Sequence, residues 1–195
     1  MRYVKNILFL IAAVWFVAAC NKNEQDTIPA CSGGTMEILF EDTVYTLSSF
    51  NNSLNFETEN GQPRRRLDIR TKVKGNSVIL SVYNWDWQNP PQDGILAKIY
   101  STLTTNTSGN DCATIDSMLY CEFAQATFLD SANGSHVYVS MEESYSGFVE
   151  ITEFDNVTKR FSGSFDAKLT SYLGTEPDTV SISGTFTDLC YLVPE

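Results

Sequence analysis

Cysteines, a single histidine and a short aromatic run are the residues of this 195-residue chain with chemistry to offer. The cysteines are Cys20, Cys31, Cys112, Cys121 and Cys190. No Cys-x-x-Cys spacing occurs among them, which removes support for a thioredoxin-like or zinc-ribbon reading. His136 follows Asn133-Gly134 at a turn edge. With no Gly-x-Ser-x-Gly elbow to serve, it is expected to be a solvated loop histidine rather than a general base. One histidine does not make a His-based metal site, and no phosphate-cradling glycine loop is present. Glu142-Glu143, and Asp86 between Trp85 and Trp87, supply carboxylates. Glycoside hydrolysis needs two carboxyls facing each other across a cleft, whereas charged strand ends and loops account for these positions more simply. The expectation is a chain with no catalytic residue, no cofactor and no metal.

Binding chemistry is better represented. In the run Tyr83-Asn84-Trp85-Asp86-Trp87 the three rings share one face if the segment is a strand. Aromatic faces stack on the C–H groups of sugars, and neighbouring amides and carboxylates bond hydroxyls. Tyr83, Trp85, Asp86 and Trp87 are therefore the candidate ligand-binding residues. The competing reading is that these rings pack inside the fold, as Trp generally does.

Cys20 sits in a different context. Arg2 and Lys5 precede thirteen apolar residues, from Ile7 to Ala19. That run is too short for a spanning helix, which needs about 20 residues, and suits the hydrophobic region of a secretory signal. It ends Val17-Ala18-Ala19-Cys20, small residues before a thiol. This resembles the bacterial lipobox, which implies cleavage before Cys20 and a diacylglyceryl group on its sulfur. Residues 1–19 are then a signal peptide and residues 20–30 a polar tether that cannot bury enough apolar surface to fold. Residues 31–195 form a single domain. The resemblance places the chain in the cell envelope, held by lipid and most naturally at the outer membrane, with the membrane as its first partner.

Without residues 1–19 the chain keeps 11 basic and 24 acidic residues, a net charge near −13. That balance argues against nucleic acid and against an anionic bilayer surface as partners. A protein partner or a glycan remains open. The four cysteines beyond Cys20 suggest two disulfides in an exported chain. The favoured pairs are Cys112–Cys121, a local loop, and Cys31–Cys190, which would tie the domain's ends together.

Strand signals recur along the body. Met36 to Phe40 and Val44 to Leu47 flank Glu41-Asp42 as a hairpin. Residues 51–65 are polar and contain Asn60-Gly61 and Pro63, the composition of a loop. Leu67, Ile69, Thr71 and Val73 alternate with polar residues up to a turn placed at Gly75-Asn76, which would set Val73 opposite Val78 and Ile69 opposite Val82. Further strands are expected within 95–103, 119–129 and 137–141. The last third is the most regular. Phe148 to Phe154 is one strand; Phe161, Gly163, Phe165, Ala167 and Leu169 share a face of the next; Val180, Ile182, Gly184 and Phe186 share a face of the last. Gly163 and Gly184 imply close backbone approach, with Phe165 and Phe186 covering the gaps, and Asp155 is placed to accept backbone N–H bonds at a turn. About nine or ten short strands predict an all-β antiparallel sandwich, with a lipocalin-like barrel as the alternative.

The runs 147–155 (GFVEITEFD), 161–165 (FSGSF) and 180–186 (VSISGTF) resemble a group of uncharacterised lipoproteins from Bacteroidota, in which a GxVxITxxD strand is followed by SGxF and a closing strand with Gly-x-Phe. The resemblance is specific within 147–187. It implies a fold type and an envelope location and carries no activity with it.

Overall fold

The structure, a computed structural model, describes residues 31–59, 61–85, 94–102, 112–115, 117–131, 136–140, 147–171 and 178–194. Alternation of apolar and polar residues dictates the strands. β1 (Thr35–Phe40) buries Met36, Ile38 and Phe40 and exposes the residues between them. It turns into β2 (Thr43–Leu47) through Glu41-Asp42, both with positive φ (48° and 57°), the primed two-residue turn whose twist suits a hairpin. β3 (Ser53–Glu59), β4 (Gln62–Val73) and β5 (Asn76–Trp85) follow as a meander. Then come β6 (Ile99–Ser101), β7 (Cys112–Ile115), β8 (Met118–Cys121), β9 (Phe123–Asp130), β10 (His136–Val139), β11 (Gly147–Asp155), β12 (Arg160–Ser171) and β13 (Thr179–Cys190). The described residues contain no helix, so none is long and apolar enough to cross a membrane.

The all-β antiparallel expectation holds. Eleven of these strands form one sheet in the order β2-β1-β13-β12-β10-β9-β5-β4-β3, with β11 beside the first part of β12 and β6 beside β11; β7 and β8 pair separately. The first strand returns to the last, β1 pairing with β13 over six residues. The sheet curls until the start of β3, at one end of this order, reaches the chain just beyond β13. Leu54 N donates to Leu192 O (2.8 Å) and Leu192 N to Asn52 O (3.0 Å), fastening the start of β3 to the chain just beyond β13. The described strands number thirteen rather than nine or ten, for three reasons. Residues 51–65, expected as a loop, contain β3 and the start of β4; β7 lies in a stretch assigned to no strand; and the stretch 119–129 splits at Glu122 into β8 and β9.

Inside the curl, Leu54, Leu67, Ile69, Leu80, Val82, Ala124, Ala126, Phe128, Phe165, Leu169 and Phe186 fill the space between opposite walls, each nearly or wholly buried. This packed interior is the dominant stabilising term, at about 25 cal/mol for each Å² of apolar surface removed from water.

Two glycines let the β12–β13 pair close up. Gly163 lies opposite Phe186 and Phe165 opposite Gly184. A Cβ on Gly163 would lie 2.0 Å from Glu150 O and 2.6 Å from the Phe186 ring; one on Gly184 would lie 2.1 Å from Glu37 O and 2.8 Å from the Phe165 ring. The expected close approach is present. Each phenylalanine covers the glycine on the neighbouring strand, not the one two residues earlier on its own.

Two local readings are corrected. The β4–β5 turn is Lys74-Gly75, both with positive φ (51° and 84°), not Gly75-Asn76. Val73 therefore faces Asn76, Thr71 faces Val78 and Ile69 faces Leu80. The inward faces survive, because moving a two-residue turn by one position moves each partner by two and preserves parity. Asn76 belongs to the strand, where its Oδ1 accepts a bond from Ser131 N at 3.0 Å.

The second correction concerns Cys190, which shares the parity of Phe186 and by simple alternation would point inward. A positive φ at Asp188 (55°) breaks that count, and Leu189 rather than Cys190 is fully buried. The Cys31–Cys190 disulfide is nonetheless formed, with the two Cα atoms 5.6 Å apart and 159 residues between them in sequence. The residues from Cys31 onward form one compact unit.

Candidate functional site

The outer wall built by β3, β4, β5 and β9 carries the densest array of polar side chains. Alternation sends Arg64, Arg66, Asp68, Arg70 and Lys72 outward from β4 while Leu67, Ile69 and Val73 point in. The outward charges form a chain of ion pairs. Arg64 donates to Glu57 Oε2 through Nε (2.9 Å) and Nη2 (2.8 Å), and Arg66 Nη1 reaches Glu57 Oε1 at 2.7 Å. Arg66 Nε (3.2 Å) and Arg70 Nη2 (3.0 Å) then share Asp68. Asp68 also accepts from Ser81 Oγ (2.7 Å) and Asn55 Nδ2 (3.4 Å). Its side chain is 2% exposed, and four donors supply what burial of a carboxylate requires.

Tyr83 belongs to the same wall. It lies opposite Arg66 on β4 and opposite Phe123 on β9. Its ring stacks on Phe123 with centroids 4.4 Å apart, and the Arg64 guanidinium stands 5.0 Å from its centroid. β4 and β9 flank β5 from opposite sides, so the Tyr83 ring is held between them. Trp85 ends β5 with its backbone opposite Arg64. Its side chain, together with Asp86 and Trp87, lies outside the described residues. Of the four sequence-predicted ligand residues, Tyr83 alone can therefore be placed by side chain, and it serves as a packed element of the wall.

Beside this wall runs a groove of about 630 Å³, bordered by the Ser48–Asn51 connection, by Arg70 and Lys72, and by Ser77, Ile79 and Leu129. Sequence reasoning missed it. The signal was present: six of the chain's 13 basic residues fall within 64–74. Averaging charge over the whole chain concealed it.

A second cleft, of about 670 Å³, opens at one end of the curled sheet, where the β1–β2 and β4–β5 turns approach the start of β13. Phe40 and Phe128 (5.0 Å) and Phe128 and Tyr138 (6.0 Å, edge-on) close its floor. Lys74 Nζ bonds Glu41 Oε2 at 2.7 Å across the two turns, a contact that raises the lysine above its ordinary pKa, with Tyr45 adding to it. Tyr138 donates to Asp178 Oδ2 at 2.9 Å. Burial first, and that bond second, raise its phenol above the usual value. At the opposite end Asn84 and Glu122 are buried, bonded to each other at 2.6 Å, and Lys98 pairs with Glu122.

The remaining expectations fall out as follows. Asp155 performs its turn role: Oδ1 accepts from Val157 N (2.8 Å) and Thr158 N (3.1 Å), and Oδ2 from Thr158 Oγ1 (2.7 Å). These bonds, led by the Thr158 side chain, hold its carboxyl below the ordinary range. Cys112 and Cys121 lie directly opposite each other in the β7–β8 backbone register, with their side chains outside the described residues. His136 opens β10, and its ring is likewise outside the description. Cys20, Glu142 and Glu143 also fall outside. Among the described residues, no three His, Cys, Asp or Glu side chains converge on a metal position. No family model, no curated protein and no solved structure matches the chain.

Proposed function

We propose that this chain is an envelope lipoprotein, held to the membrane by lipid on Cys20, whose barrel-like body has a non-catalytic binding role. The observation that carries the envelope reading is the Cys31–Cys190 disulfide. Disulfides of this kind persist in oxidising compartments and are rare in the cytosol. This one binds the first residue of the body to its closing strand, eleven positions beyond the thiol that the lipobox resemblance marks for acylation. The tether then pulls on a covalently closed end of the sheet.

A binding role is supported by the way polar side chains are used. Arg64, Arg66, Asp68, Tyr83 and Asp155 are held by neighbours within the fold, an arrangement that builds surfaces of fixed shape and charge.

The test is Cys20→Ser expressed in a bacterial host that processes lipoproteins. The wild-type chain should fractionate with membranes and carry the mass of a diacylglyceryl group. The variant should keep its leader or move to the soluble fraction without that mass. Equal partitioning and equal processing of the two would overturn the anchor.

A further inference from the structure

We propose that the groove beside the outer wall of β4 and β5 is a binding site for an acidic saccharide. The sugar's carboxylate would be taken by Arg70 and Lys72 and its hydroxyls by the flanking serines and Asn51. This deepens the binding role proposed above and is independent of the lipid anchor.

Four features of the groove converge on that chemistry. Its volume of about 630 Å³ falls in the range of small-ligand sites. Its cations are available: Arg70 is half exposed and engages Asp68 through one terminal nitrogen, and Lys72 is exposed with no ion pair among the described residues. A guanidinium with free N–H groups is the natural partner of a carboxylate, which it can grip with two parallel bonds. Ser48, Ser49, Asn51 and Ser77 surround the cations with hydroxyl and amide groups, and Ile79 and Leu129 provide an apolar strip for the C–H face of a ring.

Charge on the rest of the molecule narrows the ligand further. The mature chain is near −13, so an extended polyanion such as a nucleic acid or an anionic bilayer would meet repulsion beyond the groove. A short acidic oligosaccharide neutralises two cations and ends there. The scaffold is rigid, because Arg70 is anchored at both ends. Asp68 holds its head, Asn52 Oδ1 accepts from its backbone N at 3.4 Å, and Asn51 N donates to its backbone O at 2.9 Å.

The experiment uses the mature acylated protein in non-ionic detergent, with galacturonic acid oligomers as probe and maltohexaose as the neutral control, read by calorimetry. The acidic oligomer should bind saturably, weaken as salt rises, and outbind maltohexaose. Lys72→Gln and Arg70→Gln should each weaken binding about tenfold. Neither threatens folding, since Lys72 has no ion pair among the described residues and Asp68 keeps Arg66, Ser81 and Asn55. Asp166→Asn, on β12, should leave the affinity unchanged.

No binding at low salt, equal binding of the neutral oligomer, or insensitivity to Lys72→Gln would overturn the assignment. Equally tight binding of phosphatidylglycerol vesicles would overturn it as well, by reducing the face to general anion attraction. A Cys20→Ser protein that leaves the membrane yet still binds the oligomer is the expected result if both proposals hold. One that stays on the membrane and still binds removes the anchor alone.

Discussion

The β12–β13 and β3–β4 hairpins are both long antiparallel pairs in the same curled sheet, and they are held together by opposite means. β12 and β13 turn mostly small neutral residues outward, such as Ser164, Ser183 and Thr185, with Asp166 and Lys168 the charged exceptions, and interlock inward, where Gly163 and Gly184 receive Phe186 and Phe165 from across the pair. β3 and β4 have one clean apolar pair, Leu54 opposite Leu67, and are stitched on the outside by Glu57 with Arg64 and Arg66 and by Asn55 reaching Asp68, which Arg66 and Arg70 flank along β4. The first pair depends on shape and the second on charge. Shape is fixed by the chain itself; charge stays adjustable by salt, by pH and by a ligand, which is why the candidate groove lies on that side.

The contrast can be broken in graded ways. The largest effect should come from Cys31→Ala with Cys190→Ala. Removing a crosslink that closes a loop of this length should cost about 4 kcal/mol, seen as a lower urea midpoint under non-reducing conditions. A midpoint equal to wild type would show that the ends are held by the sheet alone.

Gly163→Ala should follow closely, at about 3 kcal/mol, because the new methyl meets a backbone oxygen that cannot move without separating β11 from β12. A stability within error of wild type would mean that shape does not hold this pair.

On the charge side, Asp68→Ala should cost about 2 kcal/mol by leaving Arg66 and Ser81 without their shared acceptor. Glu57→Gln, whose side chain is about a quarter exposed, should cost under about 1 kcal/mol. The Glu57 loss should shrink at high salt, while those of the buried Asp68 and of Gly163→Ala should change little. If Glu57→Gln and Gly163→Ala responded to salt alike, the distinction between the two hairpins would fail.

The smallest effect concerns Asp155. Its carboxyl is held below its ordinary value of 3.8, so the turn's contribution is complete above that value and fades as pH falls through the lowered one. Asp155→Asn should therefore lower the melting temperature slightly at neutral pH and lose its effect in strong acid. A difference that stays constant across that range would show the charge to be irrelevant to the turn.

The same contrast explains what could be read in advance. Residues 161–187 declare themselves as strands because the apolar alternation runs unbroken, with the charged Asp166 and Lys168 falling only on outward positions. Residues 53–66 do not. Their outward positions are polar or charged and the run contains Asn60, Gly61 and Pro63, so the composition is that of a loop until Glu57 is seen to be neutralised by Arg64 and Arg66 from the adjacent strand. Tyr83 reads in the sequence as a candidate ligand residue, and the structure sets its ring on the outer wall of β5. Its packing between Phe123 and Arg64 depends on β9 lying on one side and β4 on the other, which no local pattern encodes.

The order of residues alone determined the β class, the Glu41-Asp42 hairpin, the Asp155 turn and the two glycine positions, because each follows from interactions spanning a few residues. Tertiary structure decided the rest. It brought β1 to β13, closed the seam at Leu192, moved the β4 register by one turn position, and assembled the groove from segments far apart in sequence. Those features rest on pairings between distant strands, whose energies depend on which faces the curled sheet brings together.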